Sequence, residues 1–367
     1  SHGMGYGDKT LAKVPSWEQT HLERNRNNVY VLKNHPCIVT WSLGNEAGYG
    51  PNFEKAYDMV KAYDPSRPVQ YERAGLARGT DIYCPMYLPY QHCENYAKSD
   101  EQRPLIQCEY AMGNSMGGFR EYWELVRKYP KYQGGFIWDF VDQGLRVKNK
   151  EGKDIYAYGG DFGRYPASDH NFNCNGLMNP DRKPNPHAAE VRYHYQNIWT
   201  QLTDTTQGEL EIFNENFFTN LDNTELHWTL LENGTVRAQG TVGSLDMAPQ
   251  QRKIIRLQGF PAVNTNQETV LNVEYLLKQA EPLLPKNYVI ARQQFILTPY
   301  RFASATDVQP APTASAGVLK EEQLACLTLS AGRMSITFNK NTGWMDYLDI
   351  DGQPVFEKGF SLKPDFW

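Results

Sequence analysis

One stretch limits what this chain can become. Ile38-Val39-Thr40-Trp41-Ser42-Leu43-Gly44-Asn45-Glu46 carries no charge before its end, and its part between Pro36 and Gly44 is largely apolar and β-branched. Such a run reads as a buried strand, and here it ends in Gly-Asn-Glu. The pattern returns 63 residues later: Leu105-Ile106-Gln107-Cys108-Glu109 follows Pro104 and again ends in glutamate. A carboxylate at the C-terminal end of an apolar strand is where an α/β barrel keeps its chemistry. Two of them, each carried by its own strand, are the equipment of a glycosidase. The plain alternative is that both glutamates are polar strand ends. A shared barrel mouth favours the paired reading.

The rest of the first half supports a barrel. Ser16 with Gln19 makes a capping box for a helix to about Lys33, and Asn34-His35-Pro36 stops it, with His35 a structural residue beside the proline. Gly50-Pro51 opens a second helix with proline at its first position, and Asp64-Pro65-Ser66-Arg67-Pro68 closes it. Short strands are expected at 69–71, 81–87, 105–109 and 134–140, a third helix at 116–129, and a closing helix near 186–195. Strands alternating with helices imply a parallel sheet. About five strands are visible and a closed barrel needs eight, so the expectation is a partial (β/α)8 barrel over residues 1–198. Its remaining strands would precede Ser1.

Beyond residue 199 the periodicity changes to alternation. Runs at 209–214, 226–232, 235–240, 252–257, 270–277 and 289–297 read as short strands, with Asn233-Gly234 a strong hairpin turn. They imply an immunoglobulin-like β-sandwich over 199–302. A Pro/Ala/Ser/Thr linker follows at 303–317. Strands at 325–329, 334–339 and 345–350 then read as the beginning of a further β-sandwich domain over 318–367, too short to close alone.

Net charge is −5 with no block of like charge, which argues against a nucleic-acid or membrane-surface partner. No apolar run approaches a membrane span. The six cysteines are scattered without metal spacing and read as reduced thiols, with Cys37, Cys84 and Cys108 as small buried apolar residues. Aromatic residues make up 13% of the chain, enough for sugar-stacking platforms but equally ordinary for a core.

The motifs now quoted resemble glycoside hydrolase family 2, and within it the large lac-type β-galactosidases. To them belong Asn34-His35-Pro36, Trp41 to Glu46, Asp64 to Pro68, Cys84-Pro85-Met86-Tyr87, Cys108-Glu109-Tyr110 with Met112-Gly113-Asn114-Ser115, and Gly134-Gly135-Phe136-Ile137-Trp138-Asp139. The resemblance implies a retaining exo-β-galactosidase acting on terminal β-D-galactosides such as lactose. Glu46 matches the acid/base and Glu109 the nucleophile. Asn45 matches the asparagine that bonds the sugar 2-hydroxyl, Tyr87 the tyrosine that supports the nucleophile, and Trp138 the apolar wall for galactose. His2 matches a ligand of an active-site magnesium that Glu46 also contacts. Asn171-Phe172-Asn173-Cys174-Asn175-Gly176 resembles the sodium-site segment, with a Phe172 backbone oxygen and an Asn175 side-chain oxygen as ligands. Taken alone, Tyr87 and Trp138 read equally as core aromatics and Asn175 as a turn cap.

The resemblance further implies an oligosaccharide substrate and a homo-oligomeric full-length protein. This sequence departs from the family where Ala111 runs straight into Met112, without the longer stretch that carries a histidine for the sugar 6-hydroxyl. Fine sugar selectivity therefore stays open, with β-glucuronidase or β-mannosidase as alternatives. So does the reading that the 367 residues alone form an inactive fragment or a carbohydrate-binding piece.

Overall fold

The computed structural model describes residues 4–113, 118–163, 173–302 and 317–365. These fall into two compact units, one of residues 1–263 with 270–297, the other of 264–269 with 298–367.

The first unit begins with parallel strands and helices. Helix α1 (Glu18–Leu32) leads to strand β1 (Trp41–Ser42), then α2 (Pro51–Tyr63) and β2 (Val69–Gln70). Helix α3 (Tyr90–Lys98), β3 (Leu105–Met112), α4 (Phe119–Lys128) and β4 (Tyr132–Trp138) follow. β1 pairs with β2 and β3 with β4, both in parallel. Residues 81–87 run between the pairs: Asp81 N–H bonds Val69 O, and Tyr83 and Met86 bridge in parallel to Leu105 and Glu109. On the far side, Asp139 N–H bonds Asn175 O and Val141 bridges Met178 in parallel. Backbone bonds thus link these passes side by side in sequence order, as in the wall of a barrel.

Three expectations need correction. The opening strand is two residues long, shorter than the apolar run between Pro36 and Gly44, and Val39 is 73% exposed. Among the described residues β1 is paired with β2 alone, so one edge and the strand entry lack cover. The capping box at Ser16 does not form: Pro15–Trp17 is a 3-10 turn, and α1 starts one residue after it without a side-chain cap. Cys37 is exposed, because it sits in the turn after α1 rather than in a strand. Cys84 is buried and Cys108 half-buried, and all six cysteines are free. The turn after α2 has a clear cause. Asp64 accepts bonds from Trp41 Nε1 at 2.9 Å and Arg67 Nη1 at 2.8 Å, while Arg67 Nη2 also donates to Lys33 O. That fastens the end of α2 to the start of β1.

One further piece was hidden in the stretch read as loop: β5 (Leu145–Lys148) and β6 (Asp154–Ala157) form an antiparallel hairpin. The expected closing helix is α5 (Ala188–His194).

The sandwich holds seven strands. β7 (Ile198–Asp204), β8 (Glu209–Asn214), β9 (Thr224–Glu232) and β10 (Thr235–Val242) come first. β11 (Arg252–Arg256), β12 (Thr269–Leu277) and β13 (Val289–Thr298) complete it. The sheets run β10-β9-β12-β13 and β11-β8-β7. Strict alternation in β9 and β12 sends Leu226, Trp228, Leu230, Leu271, Val273 and Tyr275 into one core with Leu210 and Ile212. Asn233 and Gly234 both have positive φ, 47° and 75°, as the tight hairpin turn requires.

The second unit carries one antiparallel sheet in sequence order. It comprises β14 (Leu319–Glu322), β15 (Cys326–Ala331), β16 (Met334–Asn339), β17 (Met345–Ile350) and β18 (Gln353–Pro354). None of residues 317–365 is buried, so this sheet has no covered face among the described residues. The expected linker lies outside the described residues except for Gly317.

Candidate active site

The two glutamates reach the site by different routes, with β2 and the pass of residues 81–87 lying between β1 and β3. Glu109 sits in a bulge of β3: five residues, Gln107 to Ala111, span what three, Gly135 to Ile137, cover on β4. A bulge turns a side chain out of the ladder, and this one turns Glu109 toward an open cavity. On the other edge Glu109 O accepts the Tyr87 N–H at 2.6 Å. Tyr87 has φ 48°, and its phenol returns to donate to Glu109 Oε2 at 2.7 Å. Burial, that bond and the charges of Glu109 and Glu46 push the Tyr87 phenol far above its ordinary value. It therefore stays a protonated donor at neutral pH.

Glu46 lies four residues past β1 with φ 50°. Its N–H donates to Glu72 Oε1 at 2.6 Å, and Arg73 Nη2 donates to its Oε1 at 3.4 Å. Arg73 Nε also pairs with Glu72 Oε2 at 3.1 Å. Burial, assisted by the charges of Glu46 and Glu109, raises Glu72 above the usual carboxylate range, against the pull of the Glu46 N–H and Arg73. The two expected carboxylates thus act on common neighbours: both bear on Tyr87 and on Glu72.

The cavity, of about 560 Å³, is lined by Asn45, Glu109 and Trp138, three of the residues singled out in the sequence. Gln70, Glu72, Cys108, Phe136 and, from α1, Arg24 and Asn25 share its wall. Trp138 and Tyr87 are 39% and 40% exposed, so neither is a core aromatic. Trp138 ends β4 and is joined to Asp139 by a cis peptide bond. Glu72 and Arg73 escaped the sequence reading, although a signal was present: Glu72 directly follows the expected short strand Val69-Gln70-Tyr71.

Asn175 is buried, and its backbone oxygen accepts from Asp139 N–H at 2.8 Å. Gly113 allows this approach, since a Cβ there would meet Asn175 O at 2.1 Å. Phe172 and His2 lie outside the described residues, as do Asn114 and Ser115 of the nucleophile motif. Among the described residues no group of three His, Cys, Asp or Glu side chains could hold a metal, and Glu46 is paired with a guanidinium.

Residues 3–200 match the family described as glycosyl hydrolases family 2, TIM barrel domain, and residues 210–298 match β-galactosidase, domain 4. The chain is 41% identical over 316 residues to the β-galactosidase of Photobacterium profundum, covering 81% of this chain and 30% of that protein. It is 35% identical to the β-galactosidase of Pseudoalteromonas haloplanktis, covering 97% of this chain and 36% of that one. It therefore spans about a third of the length of the curated relatives it matches. Superposition on a solved β-glucuronidase from Parabacteroides merdae has a TM-score of 0.37 at 12% identity, over 90% of this chain and 43% of that one. The barrel match alone covers more than half of the sequence, and the chain belongs to glycosyl hydrolases family 2.

Proposed function

We propose that this chain supplies the catalytic carboxylates of a retaining exo-β-galactosidase that acts on terminal β-D-galactosides such as lactose, with residues 1–198 as its catalytic segment. Glu109 attacks the anomeric carbon while Glu46 protonates the departing glycosidic oxygen, leaving a galactosyl ester on Glu109. Glu46 then takes a proton from water, which attacks the same carbon and frees galactose and Glu109. The observation that carries the reading is the Tyr87–Glu109 bond at the wall of a cavity shared with Asn45 and Trp138. A phenol that stays protonated holds one carboxylate oxygen and leaves the other for the sugar. Asn45 is assigned to the 2-hydroxyl and Trp138 to the apolar face of galactose. The β-galactosidase names of the relatives support the choice of sugar.

A magnesium ion at His2 and Glu46 and a sodium ion at the Phe172 carbonyl and Asn175 side chain belong to the same reading. Turnover before and after chelation, and in sodium against potassium buffer, tests them. Homo-oligomerisation of the full-length protein is tested by its mass in solution.

The decisive experiment uses the protein with its natural flanking sequence. A 2-deoxy-2-fluorogalactoside should label Glu109, located by peptide mass spectrometry, and Glu109→Gln should abolish turnover of nitrophenyl β-galactoside. Label on another residue, or normal turnover by Glu109→Gln, overturns the assignment. Faster turnover of the nitrophenyl β-glucuronide or β-mannoside would change the sugar and keep the carboxylates.

A further inference from the structure

The segment after β2 grips the segment after β1 at three successive residues. Tyr71, fully buried and stacked on Phe53 at 4.0 Å between ring centres, donates its phenol proton to Gly48 O. Glu72 receives the Glu46 N–H, and Arg73 bridges the Glu72 and Glu46 carboxylates. The register explains the meeting. Trp41 stands opposite Val69 and Ser42 opposite Gln70, and Leu43 N–H still bonds Gln70 O, so both strands deliver their ends to one place. A 3-10 turn, Glu72–Ala74, closed by Gly75 at φ 54°, then swings Arg73 back over Glu46.

Glu46 needs such a grip. A left-handed backbone is unfavourable for a residue with a Cβ. The Glu72 side chain is 5% exposed, and its bond to the Glu46 N–H is made away from solvent. Arg73 presents a planar fork, which fixes the direction of a carboxylate as a point charge does not. Glu109 is held by other elements, through Tyr87 and the β3 bulge.

We propose that Glu72 and Arg73 are positioning residues that set the backbone and carboxylate of Glu46, and so govern proton delivery to the leaving group but not attack by Glu109. This rests on the reading of Glu46 as the acid/base.

Leaving-group dependence tests it, because a leaving group that departs as a stable anion needs no proton. In the protein with its natural flanking sequence, kcat/KM is measured for Arg73→Met, Arg73→Lys and Glu72→Gln. The substrates are phenyl and 2,4-dinitrophenyl β-galactoside. Arg73→Met should lose about tenfold or more on the phenyl substrate relative to its loss on the dinitrophenyl one. Arg73→Lys should recover part of that gap. Glu72→Gln, which keeps an acceptor for the Glu46 N–H but loses the ion pair, should fall between. The 2-fluorogalactoside label on Glu109 reports that each variant is folded at the site. Equal losses on both substrates, or none on either, in labelled variants overturn the inference. Glu46→Gln separates the two levels. If it shows the leaving-group dependence and Arg73→Met does not, the positioning pair alone is wrong. If Glu46→Gln shows none, the acid/base assignment and the pair fall together.

Discussion

The parallel-strand segment and the sandwich that follows it are built from the same kinds of residue to opposite ends. The sandwich gathers fourteen buried residues into one cluster, with β9 and β12 alternating buried and half-buried along nearly their whole length. The parallel segment divides its buried residues among three smaller clusters, around Phe53 and Tyr71, around Tyr110 and Phe119, and around Leu105 and Tyr132. Its strand ends carry exposed groups: Phe136 is 65% and Phe140 61% exposed. Function accounts for the contrast. A scaffold needs one continuous core, whereas a site needs strand ends that point polar and aromatic groups into open space. The sandwich spends its side chains on packing, whereas the parallel segment leaves Tyr87 and Trp138 partly exposed and lines an open cavity with Asn45 and Glu109.

Substitutions can break this comparison at graded cost. The largest effect belongs to the single core: Leu271→Ala, at a fully buried position, should cost about 2–5 kcal/mol in denaturant unfolding followed by circular dichroism. A loss under about 1 kcal/mol would mean that the sandwich core is not one packed unit. Asp64→Asn should cost less, about 1–2 kcal/mol, because it weakens the charged bonds from Trp41 and Arg67 that tie α2 to β1. It should also change the acid response. Bonds from Ser66, Trp41 and Arg67 hold the Asp64 carboxyl well below its usual range. A depressed carboxylate adds stability that is complete above its unfolded value, near 4, and is lost as pH falls through the lower folded value. Melting temperatures between pH 5 and 2 should therefore fall less steeply in Asp64→Asn than in the parent, and parallel curves would refute the role of this bond set. The smallest effect is expected at Val39, where Val39→Thr should stay within about 0.5 kcal/mol of the parent. A larger loss would show that the opening strand is covered in solution.

The patterns that could be read without a structure were those in which local chemistry and tertiary context agree. Alternation located the sandwich strands to within one or two residues, except β7, because one face of each strand meets one core. Proline at its first position marked the start of α2, and an aspartate that bonds its own following turn marked the end. α3 was missed: Tyr90 to Lys98 is a short, largely polar helix with only Cys93 buried, so it leaves little period to detect. The β5–β6 hairpin was missed for a similar reason, since its four-residue strands are mostly exposed.

At the site the division is sharper. Strand-end carboxylates are a sequence signal, because an apolar run that stops at a glutamate says where the charge leaves the core. Glu46 was legible in that way; Glu109 was picked out by the same signal, but it stands in a bulge within β3, three residues before the strand ends. What the residues touch was not. The β3 bulge that re-aims Glu109, the returning phenol of Tyr87 and the left-handed turn at Glu46 all depend on the register between strands far apart in sequence. So does the meeting of Glu72 and Arg73 with Glu46, 26 and 27 residues away. A sequence can state which groups stand at strand ends, because burial of the run beneath them is a local property. Which of those groups share a proton, a guanidinium or a cavity is decided by pairing alone, and pairing exists only once the sheet has formed.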